Sequence, residues 1–203
     1  MFQIASGANY SDVALFAVMP EAKSSVGVEV PLGIEMIDDA IANCPQIIEY
    51  LDTLTWTQSP VGRPGQTSKI RTSSSVFLPL LSFKNPEIIY EMARSVWQYF
   101  GLYASTYGIT IDDIETISFN KYEPGQTFEP HTDYFTNSNR VVSAVAFLNT
   151  VETGGHTHFT HFDYSVPARE GRIVLFPSNF LFHHAGIAPV STTKYSAAFW
   201  ARG

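Results

Sequence analysis

Six histidines, His131, His156, His158, His161, His183 and His184, all fall between positions 131 and 184 of this 203-residue chain. Histidine both ligates metals and titrates near neutrality, so its clustering points to metal or acid–base chemistry. The centre of the cluster is His131-Thr132-Asp133. In an extended segment residues i and i+2 point to the same face, so this imidazole and this carboxylate would converge. A further histidine, distant in sequence, would complete two imidazoles and one carboxylate on one face of a divalent metal. Non-haem Fe(II) uses that set, which leaves coordination positions open for reactants. An isolated His-x-Asp occurs often in solvated loops, so its surroundings decide the reading.

Those surroundings are informative. Tyr122-Glu123-Pro124-Gly125-Gln126 forms a tight turn upstream, and Gly154-Gly155 forms another downstream. Phe176-Pro177-Ser178 precedes Phe182-His183-His184, and Lys194 follows His184 by ten residues. Lys194 opens an alternating strand with Ser196, Ala198 and Trp200 on its face. A lysine buried on such a strand needs a counter-charge, which an anionic cosubstrate carboxylate would supply. Trp200 would line the same pocket, although packing against a helical layer accounts for it equally. His156, His158 and His161 read as surface or supporting side chains with some capacity for transition metals. Arg140 and Arg172 read as salt-bridging residues at strand edges, Cys44 as an inert core thiol, and Asp112, Asp113 and Glu115 as a solvated acidic turn.

The elements that must position these residues change character along the chain. Residues 31–43 and 45–52 each begin with a proline suited to a first helical turn. A longer helix is expected from Pro86 to Tyr107, capped by Asn85 and ended by Gly108. Ile88, Ile89, Met92, Val96, Trp97, Phe100 and Tyr103 would form its buried face. From about residue 114, roughly seven short runs of β-branched and aromatic residues alternate with turn signals, as in a sandwich or barrel. The Gly-, Pro-, Ser- and Thr-rich residues 58–75 read as a loop or lid over the site. The expected architecture is α+β: a supporting layer of N-terminal helices, with the lid, over about 1–113, and a compact antiparallel β core over about 114–203, in one domain.

Composition narrows the partners. Hydrophobic residues are 45% of the chain and charged residues 15%, which suits a globular core. A net charge of −7 argues against a nucleic-acid backbone as main partner. The single cysteine excludes an internal disulfide framework and a multi-cysteine metal site. No stretch approaches eighteen uninterrupted apolar residues, and the first basic residue is Lys23, so neither a membrane span nor a secretory leader is expected. A cytoplasmic protein is the resulting expectation.

YEPGQTFEPHTDYF, then NRVVSAVAFLNTVETGGHTHF, GRIVLFPSNFLFHHAG, PV and KYSAAFW together resemble the prolyl 4-hydroxylase branch of the Fe(II)/2-oxoglutarate dioxygenases. The segment from Arg71 through Thr72, Ser73, Ser74, Ser75 and Val76 to Phe77 and Leu78 resembles that branch's RTSSG-x-FL segment. The resemblance covers roughly residues 70–200, and the short form is similar to bacterial or phage members. It implies a double-stranded β-helix of jelly-roll or cupin-like type. His131, Asp133 and His184 would then ligate Fe(II), and Lys194 and Tyr122 would hold the far carboxylate of 2-oxoglutarate. Four residues separate His184 from Pro189 where the branch has three, which keeps His183 open as the alternative ligand. The implied reaction uses O2 to convert 2-oxoglutarate to succinate and CO2 while hydroxylating a C–H bond of a peptidyl proline or similar residue, with ascorbate as a reductant that rescues oxidised iron. Two alternatives stay open: the same chemistry on a small molecule or nucleobase, and a non-catalytic metal-binding cupin-like protein.

Overall fold

The structure, a computed structural model, describes residues 29–60, 69–79, 82 and 84–203. Strand β1 is Glu35–Ile37, and helix α1 is Cys44–Asp52, with proline in its first turn. Strands β2 (Thr57–Gln58) and β3 (Ser74–Leu78) precede the long helix α2, Glu87–Tyr107. Nine strands follow: β4 (Asp113–Ile114), β5 (Ile117–Tyr122), β6 (Phe128–His131), β7 (Arg140–Phe147), β8 (Thr157–Phe159), β9 (Tyr164–Val166), β10 (Ile173–Pro177), β11 (His184–Gly186) and β12 (Lys194–Arg202).

They form two antiparallel sheets. The major sheet runs β1-β10-β7-β12-β5-β3-β2, with β4 also on β12, and the minor sheet runs β6-β11-β8-β9. Alternation sorts each strand's side chains between two cores. Ile173 and Leu175 of β10, with Ala197, Phe199 and Ala201 of β12, pack with the buried faces of α1 and α2. Val174 and Phe176 instead join Phe147, Phe159, Val166 and Phe182 in the second core. The remaining face of β12, Lys194, Ser196, Ala198 and Trp200, lines a cavity. A one-residue register slip would exchange Phe199 for that polar row, so the helical layer fixes which residues reach the site. This is the double-stranded β-helix with supporting helices that the sequence implied.

Several local expectations are corrected. Residues 31–43 are not helical but carry β1, paired with β10. Gly33 (φ 91°), Asp39 (φ 55°) and Asn43 (φ 58°) are left-handed, and such residues interrupt a helix whatever the leading proline favours. On α2, Ile89, Met92, Val96, Phe100 and Tyr103 are buried as expected, but Trp97 is 46% exposed. Gly108 ends the helix in the left-handed region and donates its N–H to Ala104 O. Asn85 does not cap it, because its amide donates to Pro79 O instead and Pro86 takes the N-cap. Residues 61–68 of the expected lid lie outside the described residues. The rest of that stretch is largely sheet edge: β2 pairs with β3, and Arg71 bridges to Phe128. No described helix is long and apolar enough to cross a membrane.

Candidate metal centre

Strand β11 brings His184 directly opposite His131 at the end of β6, with Asp133 two residues beyond. One ligand atom from each of the three lies within 4.8 Å of the others, and this is the sole such group among the described residues. Asp133 offers both oxygens: Oδ1 is 3.8 Å from His131 Nε2 and Oδ2 is 3.8 Å from His184 Nε2. The backbone fixes both rings. His131 Nδ1 lies 2.9 Å from Glu129 O, and His184 Nδ1 lies 2.9 Å from Phe182 O. A carbonyl only accepts, so Nδ1 carries the proton and Nε2 presents its lone pair inward. Phe128 stacks on His131 at 3.6 Å, and Phe159 and Phe176 pack around His184, so the rings sit in an apolar wall.

The charges suit a cation. Burial, then the charge of His184, drives His131 down to about 4, outweighing the pull of Asp133 in the other direction. Burial alone would raise Asp133, but His184, His131, a hydrogen bond from Ser143 and the charge of Arg140 hold it below the ordinary carboxylate range. A neutral imidazole beside an ionised carboxylate is the protonation state that metal binding requires.

Lys194 sits in the adjoining cavity, 3% exposed and in register with Tyr122 of β5. Its Nζ donates to Gly155 O at 2.9 Å and lies 4.7 Å from the Tyr122 ring centroid. Among the described residues no carboxylate pairs with it. Burial and the nearby charge of Arg71 lower it to about 8. An ammonium has three protons to donate, so a buried one with a single carbonyl partner fits an anionic ligand.

Two lining residues carry chemistry that the sequence reading left unassigned. Arg71 is 7% exposed; it bonds Ser73 Oγ at 3.2 Å and Asn120 Oδ1, and stacks 4.6 Å over Phe128. Asn120 also accepts from Ser75 and Ser118. Counting back by two from Tyr122 along β5 would have placed Asn120 on the cavity face.

Trp200 lines both the inner cavity and a wider outer cleft of about 670 Å³. Arg140 stacks 4.0 Å over it, grips Glu115 through Nε at 2.9 Å and a second nitrogen at 2.6 Å, and donates to Asp133 O at 3.2 Å. Glu115 is therefore not a solvated turn residue, and Asp113 pairs with Arg202. Arg172 is buried and holds Asp38. Cys44 is buried, with its thiol pushed up to about 11 by burial. His183 does not join the triad: its ring faces Thr160 and His161. His158 bonds Ser165, and His156 is half-buried.

Residues 117–202 match the model of the 2OG-Fe(II) oxygenase superfamily. The chain is similar to probable prolyl 4-hydroxylase 7 of Arabidopsis thaliana, at 27% identity over 66% of this chain and 49% of the relative. It is also similar to prolyl 4-hydroxylase 1 of the same plant, at 27% identity over 78% of this chain and 65% of the relative. It thus spans about half to just under two thirds of the length of these relatives. The fold is shared with a viral collagen prolyl hydroxylase of Paramecium Bursaria Chlorella virus-1 in its 2-oxoglutarate complex (TM-score 0.65, 18% identity, 84% of this chain and 96% of that one). A Pseudomonas putida prolyl-4-hydroxylase shares it too (TM-score 0.67, 19% identity, 84% and 92%). So does a Trichoplax adhaerens prolyl hydroxylase in complex with a hypoxia inducible factor peptide fragment (TM-score 0.72, 16% identity, 84% and 83%). The superfamily that residues 117–202 match implies Fe(II), 2-oxoglutarate and O2; the donor set fits that metal, and the Lys194 ammonium, which no carboxylate among the described residues pairs with, fits that dianion.

Proposed function

We propose that the protein is an Fe(II)- and 2-oxoglutarate-dependent dioxygenase that hydroxylates a peptidyl proline or a similar residue, forming succinate and CO2. One observation carries the reading: the His131–Asp133–His184 triad shares a cavity with a buried lysine that has no counter-charge among the described residues. His131, Asp133 and His184 are assigned as iron ligands, and Lys194 and Tyr122 as partners of the cosubstrate's far carboxylate. Trp200 is assigned to the wall between cosubstrate and substrate. The helical part and the β core are read as one domain, because α1 and α2 share a core with β12.

When bound, Fe(II) with 2-oxoglutarate supplies the activation of O2 that the side chains cannot perform themselves. The chain's own residues position and exclude. Glu129 O and Phe182 O lock the two imidazoles, so the metal meets preset lone pairs and little reorganisation is needed. Lys194 gives the carboxylate a charge-assisted bond in a dry site and, with the Tyr122 hydroxyl, sets the depth to which the cosubstrate enters. Phe128, Phe159 and Phe176 keep water from the ligands. The outer cleft reaches His131 and Asp133 from the surface and is open enough for an extended chain. The names of the relatives favour a peptide over a small molecule, and the acidic net charge disfavours a nucleobase in nucleic acid.

The test is to mix anaerobic protein with Fe(II), titrate 2-oxoglutarate and follow the weak visible band of the chelate, then admit O2 and measure succinate with proline-rich peptides. A band lost in His131→Ala and succinate release stimulated by peptide support the reading. Iron-loaded protein without the band would favour the metal-binding cupin. Uncoupled succinate formation that no peptide stimulates would remove the peptidyl substrate and leave a small molecule.

A further inference from the structure

His161 and His183 meet outside the metal centre. By strand alternation His183 points away from the face that presents His184. Its ring centroid lies 5.5 Å from that of His161, with the planes 22° apart. Thr160 Oγ1 lies 2.9 Å from His183 Nδ1 and 3.1 Å from His183 O, so it can accept from Nδ1–H while donating its own proton to that carbonyl. His161 Nδ1 lies 3.2 Å from Leu181 O, which also only accepts. His161 Nδ1 therefore carries its proton and leaves the Nε2 lone pair available, and the Thr160 contact allows His183 the same tautomer.

This repeats the arrangement of the two triad histidines, in which Nδ1–H is held by an oxygen acceptor and Nε2 is left to ligate. Among the described residues neither Nε2 of the outer pair has a hydrogen-bond partner. Two imidazoles sharing one ion at metal–nitrogen distances of about 2.0–2.1 Å place their ring centroids roughly 5 Å apart. The observed spacing is close to that, and the exposed side chain of His161 is free to adjust. Phe162, in the same turn, packs on Phe182 and helps anchor the segment.

We propose that His161 and His183 form a second, external metal site that takes a borderline transition ion such as Zn2+, Ni2+ or Cu2+, with water completing the shell. Neutral imidazoles suit these ions and bind them more strongly than Fe(II), as nitrogen and oxygen sites generally do. The inference rests on these two residues and does not depend on what the triad catalyses.

Calorimetric titration of the metal-free full chain with Ni2+ tests it. The expected stoichiometry is two ions per chain for the parent, one for His161→Ala, and one for a His131→Ala, Asp133→Ala variant. Cu2+ bound to the triad variant should show two-nitrogen coupling by electron paramagnetic resonance, reduced on adding His161→Ala. Because His183→Ala adjoins a triad ligand, His161→Ala is the deciding variant, with its thermal midpoint confirming that it folds. A parent that takes one ion, or a His161→Ala variant that binds as many ions as the parent at equal affinity, would overturn the site. The second of these results would move the extra ion to His156 or His158.

Discussion

Lys194 and Tyr122 are register partners across β12 and β5, so a buried ammonium and a phenol stand at one level of the cavity wall. Neither residue is near the other in sequence. The pairing places two donors where one carboxylate can meet both, and it follows from the antiparallel register alone. Replacing Lys194 with Ala should remove a charge-assisted bond of about 1.5–3 kcal/mol, weakening 2-oxoglutarate binding roughly 10- to 100-fold. Tyr122→Phe removes a neutral bond and should cost about 0.5–1.5 kcal/mol. Both are read from the cosubstrate titration at saturating Fe(II). Unchanged affinity in Lys194→Ala would remove its assigned role, and metal binding should persist in both variants.

The same lysine sets a pH dependence. Its proton is held less tightly than an ordinary lysine's, lowered to about 8 by burial and by Arg71. The charged form is the one that attracts a carboxylate. Cosubstrate affinity should therefore be flat below about pH 8 and fall as the free site deprotonates above it, by up to tenfold per pH unit. In Lys194→Ala that alkaline limb should vanish. An affinity that rises above pH 8, or a limb that survives the substitution, would show that another group titrates there.

His131→Ala, Asp133→Ala and His184→Ala should each abolish iron-dependent conversion of 2-oxoglutarate to succinate, since each removes one of the three side chains that could hold the metal. Retention of full activity by any of them, with verified metal content, would break the assignment. Chelation should also lower the thermal midpoint, because an ion that binds only the native state stabilises it by mass action. Re-addition of Fe(II) should restore the midpoint in the parent but not in Asp133→Ala.

What could be read without coordinates follows the physics of each feature. The triad was legible because period-2 alternation puts His131 and Asp133 on one face, and a distal histidine had only to be chosen. His184 rather than His183 faces the triad because β11 begins with its register set against His131, a long-range pairing that local spacing does not encode. The α2 face was legible because a 3.6-residue period is a local property, yet Trp97 fell off its edge. β1 was hidden because left-handed residues at Asp39 and Asn43 leave little trace in composition. His161 and His183, distant in sequence, come together only when β8 pairs with β11.

Gly154 links the fold to the site. It lies at φ 75°, bridges to Pro189, and a Cβ there would collide with the carbonyl oxygen of Ala188. The next residue, Gly155, supplies the carbonyl that accepts from Lys194 Nζ and donates its own N–H to Ala188 O. Gly154→Ala must either strain its backbone or push the 188–190 segment away, and both displace Gly155. A non-glycine residue forced to positive φ costs at least about 1 kcal/mol, and the backbone collision adds to it. Urea denaturation should show that loss, and the folded fraction should bind 2-oxoglutarate more weakly while holding Ni2+ as the parent does. Stability and cosubstrate affinity both equal to the parent's would mean that the Gly154–Pro189 approach does not hold Lys194 in place.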